Sequence, residues 1–133
     1  MDGTSHFILY VADQVRSTRF YAAVLGAAPR LDVPGMSEFL LPGGAILGLM
    51  PESAIERLLG PELPRPSAAG GNPRAEIYLM LAEAAACHAR ALAAGAKELS
   101  PMQARTWGDV AAYSLDPDGH VLAFAIDGPA EAA

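Results

Sequence analysis

The chain has 133 residues and a formal net charge of −6 at pH 7, and 52% of its residues are apolar, which is enough to fold one domain or two half-size modules. The negative charge and the lack of a lysine or arginine cluster argue against nucleic acid and anionic membranes as partners, and no apolar run approaches the ~20 residues of a membrane span. The first residues lack the pattern of a secretion signal and the single cysteine excludes an intrachain disulfide, so we expect a small soluble protein of the cytoplasm.

A predicted strand and a predicted helix come first, over residues 6 to 26. Strand side chains alternate between two faces, so Phe7, Leu9 and Val11 form an apolar face that suits packing against the helix. The opposite face carries His6, Ile8 and Tyr10. An aspartate at position 13 favours the helix start, and a glycine at position 26 favours its end. Residues 40 to 50 are then typical of a strand, a Pro/Gly turn and a second strand.

Residues 51 to 75 separate the two halves and carry five of the eleven prolines. Because proline removes a backbone donor and glycine raises the entropic cost of order, this composition predicts a linker. A short amphipathic piece over residues 53 to 59 predicts a helical turn or two within it. No phosphate-binding motif surrounds Gly70 and Gly71, so we interpret the pair as a connector.

The second half repeats the order of the first. A strand over residues 76 to 81 presents Glu76, Tyr78 and Met80 on one face, and a helix-like stretch then ends at a glycine. Residues 114 to 126 again predict a strand, a Pro/Gly turn and a strand. Both halves thus predict β-α-β-β-β, and with helices on one side only, two such sheets are able to curl around a common concave surface. We predict an α+β fold with a first module over 1–52, a linker over 53–74, a second module over 75–128 and a tail over 129–133.

Two stretches carry a resemblance to a known family. The opening matches H-x5-A-D followed by R-S-x2-F-Y-x3-L-G, from His6 to Gly26, and the turn DPDGH runs from Asp116 to His120. This pattern resembles the vicinal oxygen chelate superfamily, which includes glyoxalase I, extradiol dioxygenases, fosfomycin resistance enzymes and bleomycin resistance proteins. The resemblance covers residues 6 to 126. It implies two βαβββ modules with curved mixed sheets around a concave pocket, helices outside, and a homodimer with pockets at its interface.

The resemblance also identifies four positions that hold a divalent ion in the metalloenzymes of that superfamily. Here they are occupied by His6, Gly48, Glu76 and Ala123. Glycine and alanine cannot ligate a metal, so two candidate ligands remain where the chemistry needs three or four. We therefore expect no metal site and no cofactor. We favour the interpretation that His6 and Glu76 are polar groups of a ligand pocket, hydrogen-bonded to each other across the sheet.

Trp107, the only tryptophan, lies in the polar stretch between Gln103 and Asp109. This stretch resembles the tryptophan-glycine segment of bleomycin and mitomycin resistance proteins, in which aromatic rings sandwich a flat drug. A pocket of apolar and aromatic side chains with a few polar groups is typical of ligand sites. The predicted ligand-binding residues are His6, Tyr10, Phe39, Met50, Glu76, Tyr78, Trp107 and Tyr113.

Two classes of function remain open. The first is metal-independent sequestration of a small, mainly aromatic molecule, as in antibiotic resistance, and the acidic balance suits a neutral or cationic compound. The alternative is an enzyme, either a glyoxalase-like lyase or isomerase with a reduced metal site, or a cofactor-free catalyst that uses His6 and Glu76 as acid and base. A regulatory module without a ligand is a third interpretation.

Overall fold

The computed structural model describes residues 3–129. The chain divides after Asn72 into two compact units, and each unit contains one four-stranded mixed sheet. The order of elements in each sheet-forming part is β-α-β-β-β. The predicted α+β fold of two βαβββ modules is therefore confirmed.

The first unit holds one sheet, two α-helices and three short 3-10 turns. Its strands follow the order β1-β4-β3-β2, in which β1 is parallel to β4 and the other neighbours are antiparallel. The elements are β1 (His6–Val11), α1 (Gln14–Leu25), β2 (Leu31–Val33), β3 (Met36–Leu40), β4 (Ile46–Pro51) and α2 (Glu52–Leu59). The 3-10 turns are Pro42–Gly44, Gly60–Glu62 and Pro66–Ala69.

Helix α1 begins and ends where the sequence predicts. The Asp13 side chain accepts a hydrogen bond from the backbone N–H of Arg16 at 3.1 Å, which satisfies one free donor of the first turn. Gly26 takes a φ of 65°, the left-handed conformation that ends a helix at little cost for glycine. The buried side chains recur every three or four residues, so α1 presents one face to β3 and β4: Ser17, Thr18, Phe20, Tyr21 and Val24.

Strand β1 differs from the prediction at one position. Leu9 and Val11 are buried as expected, but the Phe7 side chain is 62% exposed. Strand β1 lies at the edge of the sheet, and α1 packs against β3 and β4 instead. Phe7 therefore lies at the uncovered start of an edge strand.

The proline-rich segment between the halves is more ordered than a plain linker. Its first part is helix α2, which buries Ile55 and contacts β1 and β4. Gly60, with a φ of 73°, ends the helix, and the segment up to Asn72 belongs to the first unit. The amphipathic stretch therefore folds back onto its own sheet because it has an apolar residue to bury.

The second unit repeats the first without the extra helix. It contains β5 (Glu76–Met80), α3 (Ala84–Ala93), β6 (Lys97–Ala104), β7 (Asp109–Leu115) and β8 (Val121–Asp127), in the sheet order β5-β8-β7-β6. Helix α3 packs against β7 and β8. The turn between β7 and β8 is fixed by Asp116, whose buried carboxylate accepts the backbone N–H groups of Asp118 and His120 at 2.9 and 2.8 Å.

Within residues 3–129, none of the helices has both the length and the apolar character needed to cross a membrane.

Candidate functional site

The second sheet has one face turned away from its helix. Helix α3 lies against the other face, where the His88 ring is 6.2 Å from the ring of Phe124. Because directly paired residues share a face, Tyr78 on β5, Ala123 on β8 and Tyr113 on β7 stand side by side on the side opposite α3. We define this side, with Glu76 on the same strand as Tyr78, as the open face of the second sheet. Ala123, between the two tyrosines, is fully buried.

Trp107 is tied to this face by a chain of hydrogen bonds. Its indole Nε1–H donates to the Tyr78 hydroxyl at 3.0 Å, and that hydroxyl donates to Asp109 Oδ2 at 2.6 Å. The Trp107 side chain is nevertheless 58% exposed. The indole is therefore held in one orientation while most of its surface stays available for contact.

Arg105 supports the second tyrosine of the open face. Its guanidinium carbon lies 5.0 Å from the centre of the Tyr113 ring, which is within the range of a cation–π interaction. The same guanidinium donates to the backbone oxygen of Ala111 at 2.7 and 3.1 Å and to Ser100 Oγ at 2.8 Å. These bonds hold the arginine to β6 and β7, so the Tyr113 ring rests on a fixed support.

Both tyrosines of the open face keep their protons at neutral pH. Partial desolvation and the hydrogen bond to Asp109 raise the pKa of Tyr78 above its ordinary value, although the bond from Trp107 acts in the opposite direction. Partial desolvation and the nearby charge of Glu76 raise the pKa of Tyr113, with a smaller contribution from Asp109, although the Arg105 guanidinium acts in the opposite direction. The face thus combines three aromatic side chains, two neutral hydroxyls and two carboxylates.

The first sheet also has a face turned away from its helix. The Thr18 hydroxyl of α1 donates to Ser37 Oγ at 2.8 Å, which places α1 on the Ser37 side of β3. Glu38 lies on the other side, where it pairs with Gly48, and Gly48 in turn pairs with Ile8. We define this side as the open face of the first sheet.

Glu38 joins two basic groups on the open face of the first sheet. Its Oε2 atom lies 3.4 Å from His6 Nδ1, and its Oε1 atom accepts a hydrogen bond from Arg30 Nε at 3.0 Å. The Glu38 side chain is only 11% exposed, whereas that of His6 is 37% exposed. Within the first unit, the partner of His6 is therefore Glu38. The expected hydrogen bond between His6 and Glu76 would join the two units and stays a prediction.

The metal positions implied by the resemblance do not fit a divalent ion. Gly48 and Ala123 have no side-chain donor atom, and no group of three or more His, Cys, Asp or Glu side chains suited to a metal occurs among residues 3–129. A Cβ atom placed on Gly48 would lie 3.0 Å from Ile8 Cγ1 and 3.2 Å from Met36 Sδ. Apolar atoms thus fill the space where a metal-binding side chain at position 48 would begin.

The other predicted site residues fall into two groups. Tyr10 and Met50 are half-buried and pair with each other on the open face of the first sheet. Phe39 is not on that face, because it pairs with Leu47 on the helix side, where its ring lies 6.5 Å from that of Tyr21 and is 1% exposed. Its place is the core.

Sequence reasoning missed four polar residues of the two open faces: Arg30, Glu38, Arg105 and Asp109. Glu38 and Asp109 each had a signal in the sequence. Glu38 is the neighbour of Phe39, so it occupies the opposite face of the same strand, and Asp109 follows the Trp107-Gly108 pair directly. The two arginines had no such signal, because their contacts depend on how neighbouring strands pair.

Comparison with known proteins adds the family context. The family model described as Glyoxalase/Bleomycin resistance protein/Dioxygenase superfamily matches residues 3–124. No curated protein matches the sequence significantly.

Solved structures share the fold over the whole chain. A glyoxalase-related enzyme from Fulvimarina pelagi is 23% identical, with a TM-score of 0.75 and coverage of 100% of this chain and 99% of that one. A glyoxalase/bleomycin resistance protein/dioxygenase from Nocardioides is 21% identical, with a TM-score of 0.76 and coverage of 100% and 91%. Protein ATC0852 from Agrobacterium tumefaciens is 28% identical, with a TM-score of 0.68 and coverage of 98% and 100%.

Proposed function

Because this chain belongs to the Glyoxalase/Bleomycin resistance protein/Dioxygenase superfamily, we propose that it binds a small, mainly aromatic molecule without the help of a metal ion. The open face of the second sheet carries this binding. The fold alone hosts many activities, so the proposal rests on the site. Binding that sequesters such a compound, as in antibiotic resistance, requires contact surface and no reacting group.

The observation that carries the proposal is an exposed tryptophan held by a hydrogen bond. A tryptophan in the core buries its ring, whereas Trp107 keeps 58% of its surface exposed and fixes its Nε1–H on Tyr78. A ring that is already oriented loses little conformational freedom when a ligand stacks on it. Stacking of aromatic rings contributes about 0.5–1.5 kcal/mol beyond the apolar area buried.

Charge at this face selects among aromatic ligands. Beside partial desolvation, the charge of Glu76 raises the pKa of Tyr113, the Arg105 guanidinium lowers it and the charge of Asp109 raises it further. Arg105 directs its guanidinium to the backbone oxygen of Ala111 and to the Tyr113 ring, which leaves the two carboxylates as the charges that a ligand meets. A cationic or neutral aromatic molecule is therefore favoured over an anionic one, because opposite charges attract and a carboxylate ligand would face two carboxylates.

The test uses Trp107 as its own reporter, since the chain has one tryptophan. The protein is titrated with flat aromatic compounds, with proflavine as the cationic member and acridine-9-carboxylate as its anionic counterpart. We expect saturable quenching of Trp107 by proflavine with one site per chain, and weaker binding of the carboxylate. Calorimetric titration gives each affinity without interference from ligand absorbance.

A matched pair of variants tests the role of the second aromatic ring. Tyr113→Phe keeps the ring and should retain proflavine affinity within about threefold, whereas Tyr113→Ala removes the stacking surface and should weaken it by about tenfold. The proposal fails if no neutral or cationic compound of the panel gives saturable binding. It also fails if Tyr113→Ala binds as tightly as Tyr113→Phe.

The His6–Glu38–Arg30 group favours a second candidate function, cofactor-free acid–base catalysis. Glu38 faces Nδ1 of His6, which leaves Nε2 of the partly exposed ring to accept or donate a proton. Arg30 holds the carboxylate in place from its other oxygen. This candidate predicts exchange of the carbon-bound protons of dihydroxyacetone in heavy water above the buffer rate, followed by NMR. The exchange should be lost in His6→Gln, and a rate equal to buffer in the unaltered protein contradicts it.

A further inference from the structure

A cavity of about 600 Å³ lies in the first unit, and its lining includes none of the residues named on either open face. One wall is the face of α2 formed by Ser53, Glu56 and Arg57, whose spacing of three and four residues places them on the same side of the helix, and Gly60 follows at the helix end. The other wall is the segment that follows, with Pro61, Leu63 and Arg65. The size falls within the range of about 300–1,000 Å³ typical of small-molecule sites.

Gly60 shapes this cavity. Its φ of 73° and ψ of −162° form a backbone conformation that residues with a Cβ rarely adopt, and it lets the chain reverse at the end of α2. The 3-10 turn Gly60–Glu62 then carries the chain back along the helix. The two walls are therefore produced by the same reversal.

The second wall is fastened to the first by Glu56. The Glu56 side chain, 13% exposed, accepts a hydrogen bond from the backbone N–H of Ser67 at 3.0 Å and pairs with Arg65 Nε at 3.4 Å. The Ser67 bonds, with a smaller contribution from Arg65, lower the pKa of Glu56 below its ordinary value, so the group is ionised at neutral pH. One positive charge of the cavity is thus balanced by one negative charge.

Arg57 leaves the cavity with an excess positive charge. Across residues 3–129, no carboxylate forms an ion pair with Arg57, which lies one position from Glu56 on α2. Arg65 donates its Nε–H to Glu56, and its terminal N–H groups take no part in that bond. Two guanidinium groups against one carboxylate give a net charge of about +1 at the lining, and guanidinium groups are the side chains best suited to bind oxyanions in a two-pronged manner.

We propose that this cavity is a second binding site, which takes a small molecule that carries a carboxylate or phosphate group. Arg57 and the terminal N–H groups of Arg65 bind the oxyanion, and the Ser53 hydroxyl is available as a further donor. Pro61 and Leu63 contact the carbon skeleton of the ligand. The site is independent of the proposed aromatic ligand and uses none of its residues.

The experiment is a titration with inorganic phosphate, followed by amide NMR shifts of residues 53–67 at constant ionic strength with chloride as the balancing ion. We expect saturable shifts confined to this segment. Arg57→Gln should weaken phosphate binding by about tenfold, the size expected when one charged hydrogen bond is lost. Arg19→Gln, an exposed arginine of α1 in the same unit, is the matched control and should bind phosphate as the unaltered protein does.

Glu56→Gln adds a test of opposite sign. The amide oxygen keeps an acceptor for the Ser67 N–H while the competing negative charge is removed, so phosphate should bind more tightly. A parallel titration with acetate distinguishes the two kinds of oxyanion. Tighter binding of phosphate identifies a phosphate ligand, and tighter binding of acetate identifies a carboxylate ligand. Shifts that do not saturate, or equal weakening in Arg57→Gln and Arg19→Gln, overturn the proposal.

Discussion

The Tyr78 hydroxyl is the group that connects the polar contacts on the open face of the second sheet. It accepts from Trp107 and donates to Asp109, so it links an exposed ring to a carboxylate two positions away from that ring in the sequence. Loss of this oxygen would leave two polar groups without their partner, and an unmet polar group costs about 1–3 kcal/mol when it is shielded from water. Tyr78 therefore orients Trp107 in addition to offering its own ring.

Asp109→Asn tests this chain through the ionisation of Tyr78. Partial desolvation and the bond to Asp109 raise the pKa of Tyr78 above 10.0. Removal of the negative charge should bring that pKa down, because the tyrosinate is no longer opposed by a carboxylate. Spectrophotometric titration of the tyrosinate band measures the change, with Tyr78→Phe used to assign the transition.

The stability of the protein should follow the same ionisation. The pKa of Tyr78 is raised in the folded state, because folding favours the protonated hydroxyl. The stabilisation that this hydroxyl provides is therefore complete below the ordinary pKa of tyrosine and is lost as the pH rises through the pKa of the folded state. The free energy of unfolding should therefore decline above about pH 10, and Asp109→Asn should reduce the part of the decline that arises from Tyr78. An unchanged Tyr78 pKa in Asp109→Asn contradicts the hydrogen-bond chain.

Single positions also show where sequence reasoning reached its limit. Neighbouring residues of a strand point to opposite faces, so an error of one position exchanges core and pocket residues. Phe39 was expected in the pocket, but its neighbour Glu38 is the residue on the open face. Trp107 and Tyr78 were predicted from their residue types, which are informative without exact register. The Glu38 contact to His6 required the pairing of β3 with β4 and of β4 with β1, which one sequence does not specify.

At the scale of elements, helix α2 is the part of the fold that the sequence described least well. Its amphipathic pattern predicted a helix, but its proline-rich surroundings suggested a connector. The structure buries Ile55 against the first sheet and leaves Leu58 69% exposed on the same helix. The burial of Ile55 is the contact that makes this short helix part of the first unit.

Ile55→Ala and Leu58→Ala form a matched pair for this anchor. Ile55→Ala should lower the free energy of unfolding by about 2–5 kcal/mol, because it empties a buried site. Leu58→Ala should change it by no more than about 0.5 kcal/mol, because the side chain is already in water. Denaturation in urea measures both. Equal effects of the two changes would mean that α2 is not anchored through Ile55.

At the scale of the whole molecule, most of the fold was predictable and the oligomeric state stays a prediction. The two halves repeat one order of elements, and the repeat is readable because strand alternation and helix ends leave clear marks in each half. Two large apolar side chains on the open face of the first sheet, Ile8 and Leu40, are exposed. Exposed apolar side chains that lie together often mark an interface.

We therefore predict a two-fold homodimer, in which the same surface of each chain makes the contact. Sedimentation velocity over a dilution series should show a dimer at micromolar concentration. Leu40→Glu, which places a charge on the exposed end of β3, should shift the distribution toward the monomer. A monomer throughout the series for the unaltered protein contradicts the prediction.

The most direct test of the account is Trp107→Ala, measured at once for ligand affinity and for stability. Calorimetric titration with proflavine should show affinity at least tenfold weaker, about 1.4 kcal/mol, because the stacking surface is lost. The free energy of unfolding should fall by much less than the ~3–5 kcal/mol that emptying a core tryptophan site costs, because the ring is mostly exposed. A large loss of stability with unchanged proflavine affinity in the folded protein would make Trp107 a structural residue and contradict the proposed binding site.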